Sequence, residues 1–419
     1  MARWIYTLIF YLAIPLVFLR LLWRARRQPE YLRHLGERFG AYPTPTHRPV
    51  IWVHAVSVGE TRAAQPLIEA LRQQLPSHDV LLTTMTPTGR AAAREVFGDS
   101  VIQAYLPYDL PFAVNRFFAH FSPDSGVLME TEIWPNLLAG AQRKKIPVVL
   151  VNARLSARSA RGYQRLRWLL APAWESLRAV AAQTAEDGQR LAMLGARHVA
   201  VCGNLKFDVA PASELLALGQ AWRAQLGGRP VWLAASTRDG EESLVLAAWR
   251  ILDRPDALLV IVPRHPQRFS GVAGLLASEG IAFVSRSEQL PDAATQVWLG
   301  DSMGEMAAYY GLADLAFVGG SLLPLGGQNL IEAAACACPV LVGPHTFNFT
   351  KATEDALTAG AARRIADSAA LAQAVGDLLS DRQGLAAMRQ AAIGFAAAHR
   401  GATAKTLTLI QRVRRQAGR

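Results

Sequence analysis

From residue 50 onward, short apolar runs alternate with stretches of mixed polarity. In the first half the runs are "VIWVHAVSV" (50–58), "VLLTTMT" (80–86), "SVIQAYLPY" (100–108), "SGVLME" (125–130), "IPVVLVNAR" (146–154), "AVAAQT" (179–184) and "VAVCGNLKFD" (199–208). Each is continuously apolar or β-branched and ends in turn residues, as parallel strands covered on both faces should be. A helical stretch, "PASELLALGQAWRAQLGGRP" (211–230), closes on Gly-Gly and Pro, and the rhythm restarts. The second set is "VWLAAST" (231–237), "ALLVIVPRH" (257–265), "IAFVSRS" (281–287), "TQVWLGD" (295–301), "LAFVGGS" (315–321) and "CPVLVGP" (338–344). The expected fold class is α/β: two doubly wound, Rossmann-like domains facing a cleft, at residues 28–215 and 216–400. The tail, 401–419, reads as a separate basic amphipathic helix, and "AYPTPTHRP" (41–49) as a proline-rich joint.

The N-terminus follows a different pattern. Residues 4–19, "WIYTLIFYLAIPLVFL", contain Thr7 as their one polar side chain, and counting on to Trp23 gives about 30 Å of helix, close to one hydrocarbon thickness. Arg3 precedes the run, while Arg20, Arg24, Arg26 and Arg27 follow it. The positive-inside bias then predicts a single membrane anchor over residues 1–27, with everything downstream on the cytoplasmic side. An interfacial helix, helped by Pro15, is the competing reading. No small-residue cleavage site follows, which argues against a removed signal peptide.

Composition changes this picture in two respects. A formal net charge of +11 and a pI near 10 call for an anionic partner: nucleic acid, acidic lipid or a phosphorylated substrate. The three cysteines, Cys202, Cys336 and Cys338, offer neither a CxxC pair nor an even-numbered framework, which disfavours a zinc site or a disulfide scaffold.

In open α/β sheets the chemistry sits at the carboxyl ends of the strands. In the first half that brings up Ser57, Gly59 and Glu60 in "WVHAVSVGE", Glu130 and Glu132 in "METEIWPN", Asn152, and Asn204, Lys206 and Asp208 in "GNLKFD". Two carboxylates and a lysine are the raw material for a general base and for balancing charge around it. Glu60 has a structural alternative, because a carboxylate in the first turn of a helix interacts favourably with its dipole; that position would lower its pKa. In the second half, "VGGSLLPLGGQNLIEAAA" (318–335) is a glycine-rich loop emptying into a helix, which makes Ser321, Gly326, Gly327 and Gln328 candidate phosphate contacts, with Arg264 as a forked partner. There is no GxxxxGK[ST] loop, no GxGxxG at the first strand and no metal-ligand spacing, so no metal or cofactor is expected. Neither a helix-turn-helix nor a zinc finger nor a basic aromatic sheet is legible, so nucleic acid is not expected as a partner.

Eight motifs then stand in order: "HAVSVGE", "ETEIWPN", "GNLKFD", "VPRHPQRF", "GDSMGEM", "FVGGSL", "GGQNLIEA" and "GPHTFNF". With the N-terminal apolar helix, they make the chain resemble, over almost its full length, the 3-deoxy-D-manno-octulosonic acid (Kdo) transferases of lipopolysaccharide assembly, inverting glycosyltransferases of the GT-B architecture. The resemblance implies transfer of Kdo from CMP-Kdo to the lipid A precursor lipid IVA at the cytoplasmic face of the inner membrane, with anionic lipid nearby. It makes Glu60 the base and gives Glu130 and Lys206 roles in stabilising the transition state. It places CMP contacts at Pro263, Arg264, Gly304, Glu305, Met306, Asn329, Leu330, Ile331 and Glu332. Gln328 departs from the family pattern, in which many members carry His, although an amide still hydrogen-bonds a phosphate or sugar. Two alternatives stay open: a membrane-associated transferase using a UDP-sugar, and a non-catalytic nucleotide-sugar or lipid-binding homologue.

Overall fold

The computed structural model describes residues 2–26, 28–43 and 48–418. Arg27 of the basic flank and residues 44–47 of the proline-rich joint lie outside the described residues. The chain forms two compact units, one of residues 1–209 together with 400–419 and the other of residues 210–399.

Among its described residues the first unit holds seven strands, β1 (Val50–His54), β2 (Asp79–Thr84), β3 (Ile102–Tyr105), β4 (Ser125–Met129), β5 (Val148–Ala153), β6 (Ala179–Ala182) and β7 (Val199–Val201). They pair in the order β3-β2-β1-β4-β5-β6-β7, every pair parallel. Both faces are covered: Val50 and Trp52 of β1 pack with Phe117 and Phe118 on one side, while Ile51 and Val53 pack with Leu67 and Ile68 on the other. This double covering explains the unbroken apolar runs, since a strand buried on both faces has no polar alternation. The strand order reverses between β1 and β4, and the crevice at their carboxyl ends is where such sheets bind ligands.

The second unit repeats the plan with β8 (Val231–Thr237), β9 (Leu258–Pro263), β10 (Phe283–Ser285), β11 (Val297–Leu299), β12 (Leu315–Val318), β13 (Val340–Val342) and β14 (Ala362–Arg364). Its parallel order is β10-β11-β9-β8-β12-β13-β14, with the reversal between β8 and β12. The sequence reading has no counterpart for β14. It is an edge strand with one buried residue and two exposed arginines, so it carries no apolar run to read.

The tail is not a separate element. The helix Ala402–Gln416 returns to the first unit, where Leu407, Ile410 and Val413 join the cluster that includes Ala179, Ala181 and Cys202. Arg414 is 5% exposed and donates to Ser125 Oγ at 2.8 Å, so part of the "basic" tail is internal structure. The division between units accordingly falls at Val209/Ala210, with a second crossing at His399/Arg400.

Candidate active site

In the first unit the reversal point is furnished from both sides. After β1 the chain turns at Ser57, which caps the helix Val58–Gln74, and Glu60 lies in that helix's first turn. The Ser57 hydroxyl donates to Glu60 Oε1 at 3.0 Å and the Val56 amide donates to Glu60 Oε2 at 2.9 Å, a reciprocal arrangement akin to a capping box. Both carboxylate oxygens are thus oriented, and Glu60 is 9% exposed. A Cβ on Gly59 would meet nothing nearer than Ser57 Oγ at 4.0 Å, so the glycine leaves open room beside the carboxylate.

Contrary to the helix-start expectation, the Glu60 pKa is raised, to about 7. Burial is the largest cause, followed by the charge of Glu130; the bonds from Val56 and Ser57 act the other way, and Glu132 adds to the rise. The dipole argument fails because withdrawing the carboxylate from water costs more than the first-turn donors return.

After β4, Glu130 takes up the left-handed conformation, with φ at +55°, while its amide donates to Val151 O at 2.9 Å. A non-glycine residue held there turns the chain sharply at the strand end, and such strain concentrates at functional sites. The Glu130 carboxylate faces Lys206 Nζ at 3.6 Å. Lys206 stands on the short 3-10 turn Leu205–Asp208, whose Asn204 side chain accepts from the Lys206 amide at 3.0 Å. Asn152, itself at φ +52° where β5 slips register, accepts from the Leu205 amide at 3.0 Å and so ties that turn to the sheet. On the other side of the turn, the Asp208 carboxylate accepts from the amides of Gly401 and Thr403 at 2.7 and 2.5 Å, joining it to the returning tail helix. Glu132 accepts from Trp134 Nε1 at 2.9 Å, and burial raises its pKa. Glu60, Glu130 and Lys206 therefore belong to one electrostatic group, with Glu132 as a fourth member.

In the second unit the glycine-rich loop is not an empty anion cradle. Glu241, fully buried at the start of the helix Glu241–Leu252, accepts from the amides of Gly320, Ser321 and Leu322 at 2.5, 3.0 and 3.1 Å. The chain supplies its own carboxylate where the sequence reading placed a phosphate. The Ser321 hydroxyl is used too, donating to Val318 O at 2.5 Å and accepting from the Gly343 amide at 2.9 Å, so Ser321 drops out as a phosphate contact. The Gly327 and Gln328 amides are spent on Gly320 O and Gly319 O, at 2.6 and 3.0 Å. Gly326, at φ +94°, sits in the left-handed region that favours glycine, with Phe347 and Asn348 packed close against it. Of the candidate phosphate group, the half-buried Gln328 side chain is what can still reach a ligand.

The other second-unit candidates divide by exposure. Pro263 ends β9, and the Arg264 amide donates to Thr237 O at 3.0 Å, which holds the half-buried arginine at the end of β8. Gly304 (φ +84°) opens the turn into the helix Met306–Leu312. Glu305 is held by Arg286 at 3.0 Å and by the Ser302 hydroxyl at 2.5 Å. Asn329 accepts from the Ile331 amide at 3.2 Å, capping its own short helix, and Glu332 is half-buried. Leu330 and Ile331 are each 1% exposed, so they can offer a ligand only backbone. Among the described residues, no group of three or more His, Cys, Asp or Glu could hold a metal ion.

Glu241 is the residue that sequence reasoning passed over. Its one signal was the adjacent pair Glu241–Glu242 opening a helix directly after a strand end, in "ASTRDGEE".

Two parallel seven-stranded α/β units with their polar groups at strand ends are the GT-B fold. A solved glycosyltransferase from Rickettsia africae shares the fold, with a TM-score of 0.61 over 88% of this chain and 99% of that one, at 14% identity. A family profile described as 3-Deoxy-D-manno-octulosonic-acid transferase (kdotransferase) matches residues 33–209. A 3-deoxy-D-manno-octulosonic acid transferase of Bordetella pertussis is 46% identical, covering 98% of this chain and 99% of its own length. One from Haemophilus influenzae is 40% identical, covering 98% of each. The chain belongs to the 3-deoxy-D-manno-octulosonic acid transferase family.

Proposed function

We propose that the transfer runs from CMP-Kdo to the lipid A precursor lipid IVA, at the cytoplasmic face of the inner membrane, with inversion at the anomeric carbon and Glu60 as the base. The observation that carries this reading is the Glu60 carboxylate itself: oriented through both oxygens, largely withdrawn from water, and pushed up to about 7. A base with that pKa is matched to proton transfer near neutral pH. The acceptor hydroxyl gives its proton to Glu60 as its oxygen bonds to the anomeric carbon, and the bond to the CMP phosphate breaks on the opposite face. Lys206, paired with Glu130 at 3.6 Å, keeps positive charge beside this carboxylate group as charge moves. Arg264 and the Gln328 side chain are the second unit's candidates for holding the departing phosphate, and no cofactor enters the step. The net charge of +11 suits an acceptor that carries phosphates.

The test is to incubate the protein with CMP-Kdo and lipid IVA in detergent and weigh the products. A mass increase of one or two Kdo residues, inhibited by CMP and not by UDP, is the expected result. An unchanged lipid, or normal turnover by a Glu60→Gln variant, overturns the assignment.

A further inference from the structure

The helix Ala2–Ala25 is long and apolar enough to cross a membrane, with a mean hydropathy of 2.1. Its packing describes another placement. Thr7, Phe10, Ile14, Val17, Leu21 and Ala25 recur at steps of three and four residues and are buried or half-buried, a continuous seam from the first turn to the last. The seam rests on the first unit, chiefly against the 3-10 turn Pro29–Leu32 that follows the helix, and also against the helices Pro135–Arg143 and Arg167–Ser176. It includes a polar lock at the N-terminal end: the Thr7 hydroxyl, in a residue 6% exposed, lies 3.1 Å from Asn136 Oδ1, and Asn136 Nδ2 donates to Asp109 O at 2.8 Å. About 27 Å of helix separates Thr7 from Ala25 at 1.5 Å per residue, so both ends touch one folded body. A helix rising along the membrane normal from that body would keep contact at Ala25 and lose it at Thr7.

The opposite face completes the pattern. Trp4, Leu8, Leu12, Leu16, Leu19 and Trp23 form one stripe, each between 59% and 71% exposed. Arg3 stands at one end and Arg20 and Arg26 at the other, all exposed. A cavity of about 240 Å³ opens at the N-terminal end, where Arg3 and Thr7 face Asn115, Asn136 and Arg143. Two arginines and two amides make that end a place for water and anionic head groups, not for hydrocarbon. The neighbouring helix Arg167–Ser176 adds Trp168, 58% exposed, and the exposed arginines Arg158, Arg161 and Arg165 precede it.

We infer that the N-terminal helix lies in the plane of an anionic phospholipid surface, its Trp4–Trp23 stripe in the acyl boundary and its Thr7–Ala25 seam on the catalytic unit, and that it does not cross the bilayer. The helix is apolar almost all round, so its placement is argued from contacts: apolar side chains outward to lipid, a seam locked inward to protein, and arginines at head-group level. The unit is thereby held flat against the membrane at two separated points.

Sidedness tests this directly in the full chain. Ala2→Cys, at the solvent end of the helix, and Arg72→Cys, on an exposed face of the first unit, are labelled with a membrane-impermeant maleimide in inverted and in right-side-out membrane vesicles, with the wild-type chain as blank. In-plane placement makes both label in the same vesicle type; labelling of Ala2→Cys from the opposite side to Arg72→Cys overturns the inference. A flotation assay tests the partner: the wild-type chain should rise with phosphatidylglycerol vesicles, and a Leu8→Glu/Leu12→Glu/Leu16→Glu chain should bind at least about tenfold less while keeping its circular dichroism. A wild-type chain that ignores the vesicles and runs as a dimer would assign the stripe to a second copy and overturn the lipid assignment.

Discussion

At Glu60 the local and the global environments disagree, and the global one wins. Ser57 and Val56 donate to the carboxylate and favour its charged form, but burial and the charges of Glu130 and Glu132 outweigh them. The sign of the pH dependence follows. The folded-state pKa, about 7, lies above the ordinary glutamate value of 4.5, so folding favours the protonated form; stability contributed by this site is present below about 4.5 and is lost as pH rises towards 7. Activity runs the opposite way, because the base works ionised: kcat/KM should fall about tenfold per pH unit below 7. A Glu60→Gln variant should lose about 10²–10⁴-fold in kcat, flatten the profile, and melt no lower than wild type at pH 8. Differential scanning calorimetry beside steady-state rates checks both halves. Glu60 was legible in the sequence as a residue; its pKa was not, because a first-turn position is local and burial is set by groups that arrive from β4.

At the scale of elements, the two strand-reversal points are alike in topology and have been put to different uses. In the first unit the crevice collects Glu60, Glu130 and Lys206. In the second, Glu241 fills the corresponding loop and neutralises three amides that read as a phosphate cradle. Replacing Glu241 with Ala should strand those amides in a site that is 0% exposed, at about 1–3 kcal/mol for each amide that water does not reach. The expected readout is a fall in the melting temperature of the second unit, together with weaker binding of CMP measured by titration calorimetry. Unchanged stability would mean that the loop finds other partners. Motif reading saw a bare glycine loop because glycine content shows where amides are accessible, not which carboxylate reaches them through space.

For the molecule as a whole, the chain crosses between its units twice, and this makes the two units unequal as fragments. Residues 210–399 are one continuous segment with a complete seven-stranded sheet, whereas the first unit needs residues 400–419 to cover Ala179, Ala181 and Cys202. Expressed alone, 210–399 should fold and unfold cooperatively. A fragment of residues 1–209 should be poorly soluble and should recover when 400–419 is supplied as a peptide, as judged by urea unfolding of each. All the strands of the described residues but β14, and the division into two α/β bodies, could be read from the apolar rhythm, because a strand buried on both faces must be apolar throughout, whatever its neighbours are. The strand-end positions of Glu60, Glu130 and Lys206 were readable for the same reason: chemistry at the ends of such strands is a property of the topology. What needed the tertiary structure was everything set by a distant partner: the docking of the tail through Leu407, Ile410 and Val413, the Glu241 occupancy of the glycine loop, the ionisation of Glu60, and the seam that lays the N-terminal helix along the first unit. Periodicity records whether a side chain is buried, but which surface buries it, and at what cost to a charge, is decided only when the chain closes on itself.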